Sequence, residues 1–276
     1  MRHIQLIAEV GINHSSSLIA ALQLIDMAKE CGAEVVKFQK KTPELSTPKS
    51  QWNNPRTWDG KDITYLEYKR LMEFGQREYD EIDRYCRSIG IEWTASVWDL
   101  PSLEFMSKYD VPWIKIPSAK LTDLDLIRES IKIAPVYAST GMSTLKEIED
   151  AVNLIVHDKN SILMHCHSAY PANNYAELSL PLVQVLAQTF NMPVGYSSHS
   201  TSYYPALYAA VLGAVAIEAH ITLGRHLPGT DQSSSLEKRG LETLGRELNL
   251  IPLVMSNDEK IVWESELPAR LKLRGV

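Results

Sequence analysis

The chain has 276 residues, 45% of them hydrophobic, and a formal net charge of −6. That length suits one large domain as well as two small ones, and the apolar share is enough for a full core. The acidic balance excludes the clustered basic surface of a nucleic-acid binder, although a few local lysines can still hold a small anion. No run approaches the 18 or more apolar residues of a membrane span. The start carries Glu9 and Asn13 and lacks a small-residue cleavage site, so it reads as a strand, not a signal peptide. The cysteines, Cys31, Cys86 and Cys166, are too scattered for a disulfide framework, and the expected setting is a reducing cytoplasm.

In chain order, short apolar runs at 4–10, 34–39, 91–96, 113–118, 136–140, 161–167, 193–199 and 215–222 read as eight strands. Helical periods lie between them, such as Leu18, Leu22 and Ile25, or Leu145, Ile148, Val152 and Ile155. Thr144 and Glu147 form a capping box before the second, and Gly32, Gly90 and Gly213 fall where helices end. Eight strand–helix units without a long linker predict a (β/α)8 TIM barrel over residues 1–250. An open doubly wound sheet usually shows a glycine-rich phosphate turn, which Gly11-Ile-Asn-His14 lacks.

Two regions exceed the minimal unit. Residues 40–63 form a long proline-bearing segment after strand two, expected as a lid, followed by an extra helix over 64–74 that Gly75 ends. Residues 251–276 are charged and read as an irregular tail that packs on the barrel or serves as linker.

Catalytic residues of such barrels sit at the C-terminal ends of strands. These ends offer Glu9, Asn13 and His14; Lys37 and Gln39; Thr94 and Ser96; Lys115 and Ser118; Ser139 and Thr140; His165, His167 and Tyr170; Ser197 and His199; Glu218 and His220. Lys37 and Lys115 lie within apolar runs, where an unpaired ammonium is costly. They call for an anion: Glu9 or Glu218 as ion-pair partners, or a phosphate or carboxylate ligand beside the hydroxyl row. His199 and His220 end neighbouring strands and read either as hydrogen-bonded core residues or as ligands of Mn or Mg more than of structural zinc. In His165-Cys166-His167, strand alternation sends the thiol to the face opposite both imidazoles, which argues against a closed metal site. Glu9, Tyr170 and Asp231 supply acid–base capacity.

Ala8-Glu-Val-Gly-Ile-Asn-His14, Val36-Lys-Phe-Gln39, Lys115-Ile-Pro-Ser118, Ser139-Thr-Gly-Met142, Ser197-Ser-His199, Glu218-Ala-His220 and Pro228-Gly-Thr-Asp231 together resemble the sialic acid (N-acetylneuraminate) synthase family. The resemblance implies a cytoplasmic, metal-dependent transferase that condenses phosphoenolpyruvate with an aldose, N-acetylmannosamine or a related hexosamine. Position by position, it implies that Lys37 and Lys115, with Ser96, Ser118, Ser139 and Ser197, hold phosphoenolpyruvate. It further implies that His199 and His220 bind Mn2+ (Mg2+ or Co2+ as alternatives). Glu9, Tyr170 and Asp231 would contact the reacting aldose, with Gln39 part of the closing lid.

Three departures bear on the aldose. Lys120 stands where the family more often has an acidic residue, and Ser168 replaces a usual amide; both are expected to contact the substrate. The family also commonly carries a C-terminal antifreeze-like domain that reaches into the partner subunit's site. This chain stops at Leu273-Arg-Gly-Val276, about where that domain would begin, which leaves a homodimer or a second chain open. Alternative readings are a related synthase with a phosphorylated aldose, which Lys120 favours, and a non-catalytic sugar-binding relative, which the joint presence of Glu9, Lys37, Lys115, His199 and His220 opposes. A metal-dependent aldolase or isomerase would not need two cationic anchors and a serine row.

Overall fold

The structure, a computed structural model, describes residues 3–169, 171–172 and 174–275. All eight expected strands form: β1 (Gln5–Gly11), β2 (Val35–Lys40), β3 (Glu92–Val97), β4 (Ile114–Ile116), β5 (Val136–Ser139), β6 (Ile162–Cys166), β7 (Val194–Ser198) and β8 (Ala216–His220). They pair parallel in sequence order, and β1 closes the barrel on β8. The (β/α)8 expectation holds.

Eight helices clothe the barrel: α1 (Leu18–Glu30), α2 (Gln76–Ile89), α3 (Leu100–Met106), α4 (Leu124–Ser130), α5 (Leu145–Ile155), α6 (Leu182–Phe190), α7 (Tyr204–Val211) and α8 (Lys238–Val254). The local signals act as read. Thr144 caps α5 in a reciprocal box with Glu147, and Gly90 ends α2 in the left-handed region at φ 69°.

Alternation along each strand sorts the side chains into two cores. Leu6, Ala8, Val36, Phe38, Ala95, Ile114, Leu163, Tyr196 and Ile217 face the helices in the main cluster. Ile7, Val35, Trp113, Tyr137, Ile162, Met164 and Ala216 form a separate cluster inside the barrel. Trp113 and Tyr137 stack there at 4.1 Å between centroids. Gly195 leaves room for this plug: a Cβ on it would stand 2.4 Å from the Met164 sulfur and 2.7 Å from the Ala216 carbonyl. Two residues further along the inward-facing positions, the same strands turn polar, which puts the charged layer directly on an apolar floor.

Two expectations change. The tail is not irregular, because α8 runs on to Val254 and a short helix spans Leu267–Arg274. Nor does it pack on the barrel. Every residue from 253 to 275 is exposed, including Trp263, Leu267, Leu271 and Leu273.

The long segment after β2 carries a one-turn helix (Pro43–Ser46), a hairpin (Pro55–Trp58 with Lys61–Thr64) and the extra helix (Tyr65–Leu71), which Thr64 caps. It has its own small core, Ile12, Tyr68 and Met72 with Trp58, Ile63 and Tyr65. It is pinned at its start by Asp99, whose carboxylate accepts from the Thr42 amide and hydroxyl at 2.8 and 2.9 Å. No helix among the described residues is long and apolar enough to cross a membrane.

Candidate active site

A cavity of about 190 Å³ opens at the C-terminal end of the barrel. Its wall includes Glu9, Lys37, Gln39, Ser96, Lys115, Ser118, Ser139, Ser168, Ser197, His199, Glu218 and His220. Most of the residues singled out from the sequence therefore converge on one space, because they occupy inward positions one layer above the plug.

Four charges form its base. Lys37 Nζ lies 2.5 Å from Glu9 Oε2 and 3.7 Å from Glu218 Oε1, and Lys115 Nζ lies 2.7 Å from Glu218 Oε2. All four residues are 4% exposed or less. The ion-pair alternative for the lysines is thus realised, and in both cases. Glu218 is the hinge of this network, since Ser197 Oγ also donates to its Oε1 at 2.9 Å.

Burial alone would push both ammoniums down. Lys37 nevertheless sits above its ordinary pKa, because Glu218 and Glu9 outweigh desolvation. Lys115 falls below its ordinary value: burial dominates, Glu218 opposes it, and the Lys37 charge adds to the lowering. Glu218 resists the upward push of burial and is held well below the carboxylate range by Lys115 and Lys37. The two lysines are therefore unequal, with Lys115 the more easily neutralised.

Around this base stand the hydroxyls. Ser118 Oγ contacts Cys166 Sγ at 3.0 Å, and Ser96 Oγ donates to the Phe38 carbonyl at 3.4 Å. Gly141 lets them crowd together: a Cβ there would meet Ser168 Oγ at 2.2 Å, Ser118 Oγ at 2.8 Å and Cys166 Sγ at 2.9 Å. Gln39 Nε2 donates to Glu9 Oε1 at 3.1 Å, so both Glu9 oxygens face a donor.

The two candidate metal-binding imidazoles also meet, with ring centroids 5.6 Å apart. The His199 Nδ1 to His167 carbonyl contact of 2.8 Å places a proton on Nδ1 and the lone pair on Nε2. Burial first, then His220, lowers the His199 pKa to about 4, so the ring is neutral at pH 7. A neutral imidazole with its Nε2 lone pair presented is what a metal takes. Among the described residues no group of three or more His, Cys, Asp or Glu side chains converges on one metal position. The donor set fits a divalent ion held by two imidazoles and completed by water or substrate oxygens.

Several of the expected residues stand away from the cavity lining. Lys120 does not line the cavity but belongs to a neighbouring groove that shares Ala119, and it pairs with Asp123 at 3.6 Å. The one-turn helix Ser118–Lys120 directs successive side chains apart, which the motif alone hides. Asp231 lies outside the described cavity lining too, at the start of the turn Gln232–Ser234, where its carbonyl accepts from Ser235 Oγ at 2.6 Å. Burial would raise its carboxyl, yet neighbouring His220 and the Thr230 hydroxyl hold it below the ordinary value.

His165 faces the helices, not the site, with Nε2 2.8 Å from the Leu178 carbonyl. Cys166 points inward, so the alternation argument stands. Tyr170 lies outside the described residues. Of the expected lid, Gln39 lines the cavity, and none of its described lining residues comes from 41–75.

His14 also leaves the site. It stacks on Phe74 at 3.9 Å, and burial lowers its pKa to about 3. An unfolded histidine binds its proton near 6.5, so between those values the native state binds fewer protons and stability falls as pH drops. At the acid end the loss is on the order of 5 kcal/mol for this one group. Replacing His14→Phe is expected to move the acid-unfolding midpoint to lower pH, measured by circular dichroism between pH 7 and 3; an unchanged midpoint would contradict it.

Sequence reasoning gave no role to Trp98, Pro117, Ala119 and Met142, which complete the wall. Glu218, read from the sequence as a possible partner of the lysines, takes that place, and its spacing of two from His220 puts both on one face.

The model of the NeuB family matches residues 24–260. The chain belongs to the NeuB family. Human N-acetylneuraminate-9-phosphate synthase is 33% identical to this NeuB-family chain over 275 residues, covering 97% of this chain and 76% of the human protein. N,N'-diacetyllegionaminic acid synthase of Legionella pneumophila is 32% identical, with 98% and 78% covered. The N-acetylneuraminic acid (sialic acid) synthetase of Leptospira borgpetersenii, solved with citrate, superposes with a TM-score of 0.85 at 29% identity, covering 99% of this chain and 93% of that one. The resemblance to sialic acid synthases thus extends over nearly the whole NeuB-family chain.

Proposed function

We propose that the chain is a phosphoenolpyruvate-dependent synthase. It condenses phosphoenolpyruvate with a hexosamine-type aldose, N-acetylmannosamine or a relative, to give a sialic-acid-like 2-keto-3-deoxy sugar acid and phosphate. The observation that carries this reading is the pair of buried lysines beside a ring of serine hydroxyls in one cavity. An ammonium has three N–H donors. Lys115 makes one ion pair, so donors remain for a phosphate or carboxylate. Glu218 pairs with both lysines and fixes them, so the electrostatics are set before substrate arrives. The cavity volume, below the roughly 300 Å³ of ordinary ligand pockets, suits a three-carbon acid with the sugar extending to the rim.

Carbon 3 of the enolpyruvate forms the new bond to the aldehyde carbon with its π electrons, and the aldehyde oxygen takes a proton. Water adds to carbon 2, and the carbon 2–oxygen bond then breaks to release phosphate. Glu9 is placed to manage the proton, and Ser96, Ser118, Ser139 and Ser197 to orient the acid. Gln39 holds Glu9, Ser168 faces the sugar, and Asp231 and Tyr170 serve the rim. His199 and His220 would hold Mn2+, with Mg2+ or Co2+ as alternatives; the bound ion supplies Lewis-acid polarisation of the aldehyde. Three free thiols suit a reducing cytoplasm.

Incubation with phosphoenolpyruvate, Mn2+ and a panel of aldoses is expected to release phosphate and form the keto acid. A chelator is expected to stop the reaction and added Mn2+ to restore it. No release with any neutral or phosphorylated hexose, hexosamine or pentose would overturn the reading.

A further inference from the structure

At the end of β1 the regular register of the barrel breaks. Glu9 lies opposite Lys37, but Gly11 lies opposite Phe38, so β1 advances two residues while β2 advances one. Val10 is the extra residue of a bulge, a feature that re-aims neighbouring side chains and is common next to active sites. The bulge is held from two sides. The Ile221 amide donates to the Glu9 carbonyl at 2.9 Å, and the Asn13 amide donates to the Val10 carbonyl at 2.9 Å. On the β8 flank Glu9 keeps its place opposite His220. Gly11 has φ 55°, in the left-handed region that a residue without a Cβ enters at no steric cost.

The space that a side chain on Gly11 would fill is taken by the site. A Cβ there would stand 3.2 Å from Gln39 Nε2, 3.2 Å from Glu9 Oε1 and 3.4 Å from His220 Cε1. All three residues line the cavity, and Gly11 itself does not. The first two atoms are the donor and the acceptor of one hydrogen bond, the 3.1 Å contact between Gln39 and Glu9. A methyl group is too close to both, so one of them must move. Glu9 is held, because its other oxygen lies 2.5 Å from Lys37 Nζ. The Gln39 amide, at the end of a flexible chain, is the partner that yields.

We propose that Gly11 is a positioning residue of the reaction, acting through the hydrogen bond between Gln39 and Glu9. The proposal rests on the synthase reading, in which Glu9 manages the proton. Lys37 fixes one oxygen of that carboxylate and Gln39 the other, so the group has a single orientation when the aldehyde oxygen takes its proton. The bulge and the bare Cα of Gly11 make room for the second of these contacts. With a side chain at this position Glu9 is held at one oxygen only, while Lys115 and its pairing with Glu218 are untouched.

The test is a double-variant cycle in the full-length protein, with phosphoenolpyruvate, Mn2+ and whichever aldose of the panel the wild type turns over fastest. Gly11→Ala is expected to lower kcat about 10-fold or more, the scale of displacing a catalytic group by a fraction of an ångström. Its affinity for phosphoenolpyruvate, measured by calorimetry, is expected to stay near the wild-type value. Gln39→Ala has already lost the hydrogen bond and leaves room for a methyl group, so adding Gly11→Ala to it is expected to cost about 2-fold or less. Gly11→Asn brings the same Cβ on a residue that accepts the left-handed backbone. It is expected to be as slow as Gly11→Ala but more resistant to denaturant, which separates misplacement from backbone strain. The same loss with and without the Gln39 amide, or a folded Gly11→Ala or Gly11→Asn as fast as wild type, overturns the positioning role. A wild type that turns over no aldose overturns the synthase reading beneath it.

Discussion

Lys115→Met is expected to lower kcat/KM for phosphoenolpyruvate by about 10²–10³, the scale of losing one preorganised electrostatic contact to the reacting anion. The same change is expected to destabilise the fold by up to about 3–5 kcal/mol, because Glu218 loses its partner at 2.7 Å inside the barrel. The double variant Lys115→Met/Glu218→Gln separates the two effects. It removes both charges of that pair, so much of the stability is expected to return while activity does not. Denaturant unfolding and steady-state kinetics on the same samples decide the matter. If activity returned with stability, Lys115 would be a structural ion-pair partner and no grip on substrate.

The second large effect falls on Glu9. Glu9→Gln keeps the shape and the contact with Gln39 but removes the proton acceptor and one negative charge from the base. Loss of a general acid–base typically costs 10²–10⁴-fold, so kcat is expected to fall by about that factor. KM for phosphoenolpyruvate is expected to hold or to drop, since one carboxylate no longer repels the anion. A loss only in KM would instead assign Glu9 to uniform binding. A kcat within a few-fold of wild type would remove it from the chemistry.

Much of this site is legible in the residues because a barrel strand has only two faces. Once residues 4–10 and 34–39 are read as strands, Glu9 and Lys37 must share the inward layer, and the register pairs them. The same rule sends Cys166 in and His165 out. What the sequence hides is contact across the barrel. Lys115 and Glu218 are 103 residues apart and on strands that are not neighbours, so only closure brings them together.

Loops obey no such period. Lys120 and Asp231 lie in one-turn helical segments, where a shift of one residue swings a side chain by about 100–120°. Both leave the cavity. Residues 41–75 build a small core of their own around Tyr68, which no strand period announces, and none of them is among the described residues lining the cavity. The tail misled through its charges. Its sequence suggests packing or linker, and its apolar residues, Trp263 and Leu273 among them, stand exposed.

The account's central claim is that this polar layer breaks the carbon 2–oxygen bond of phosphoenolpyruvate in forming the keto acid. Phosphoenolpyruvate labelled with 18O in the bridging position tests it most directly, with the acceptor present and the released phosphate read by mass spectrometry. The account predicts one 18O in every phosphate released, with release dependent on the aldose. Unlabelled phosphate, or release at the same rate without the aldose, would contradict it.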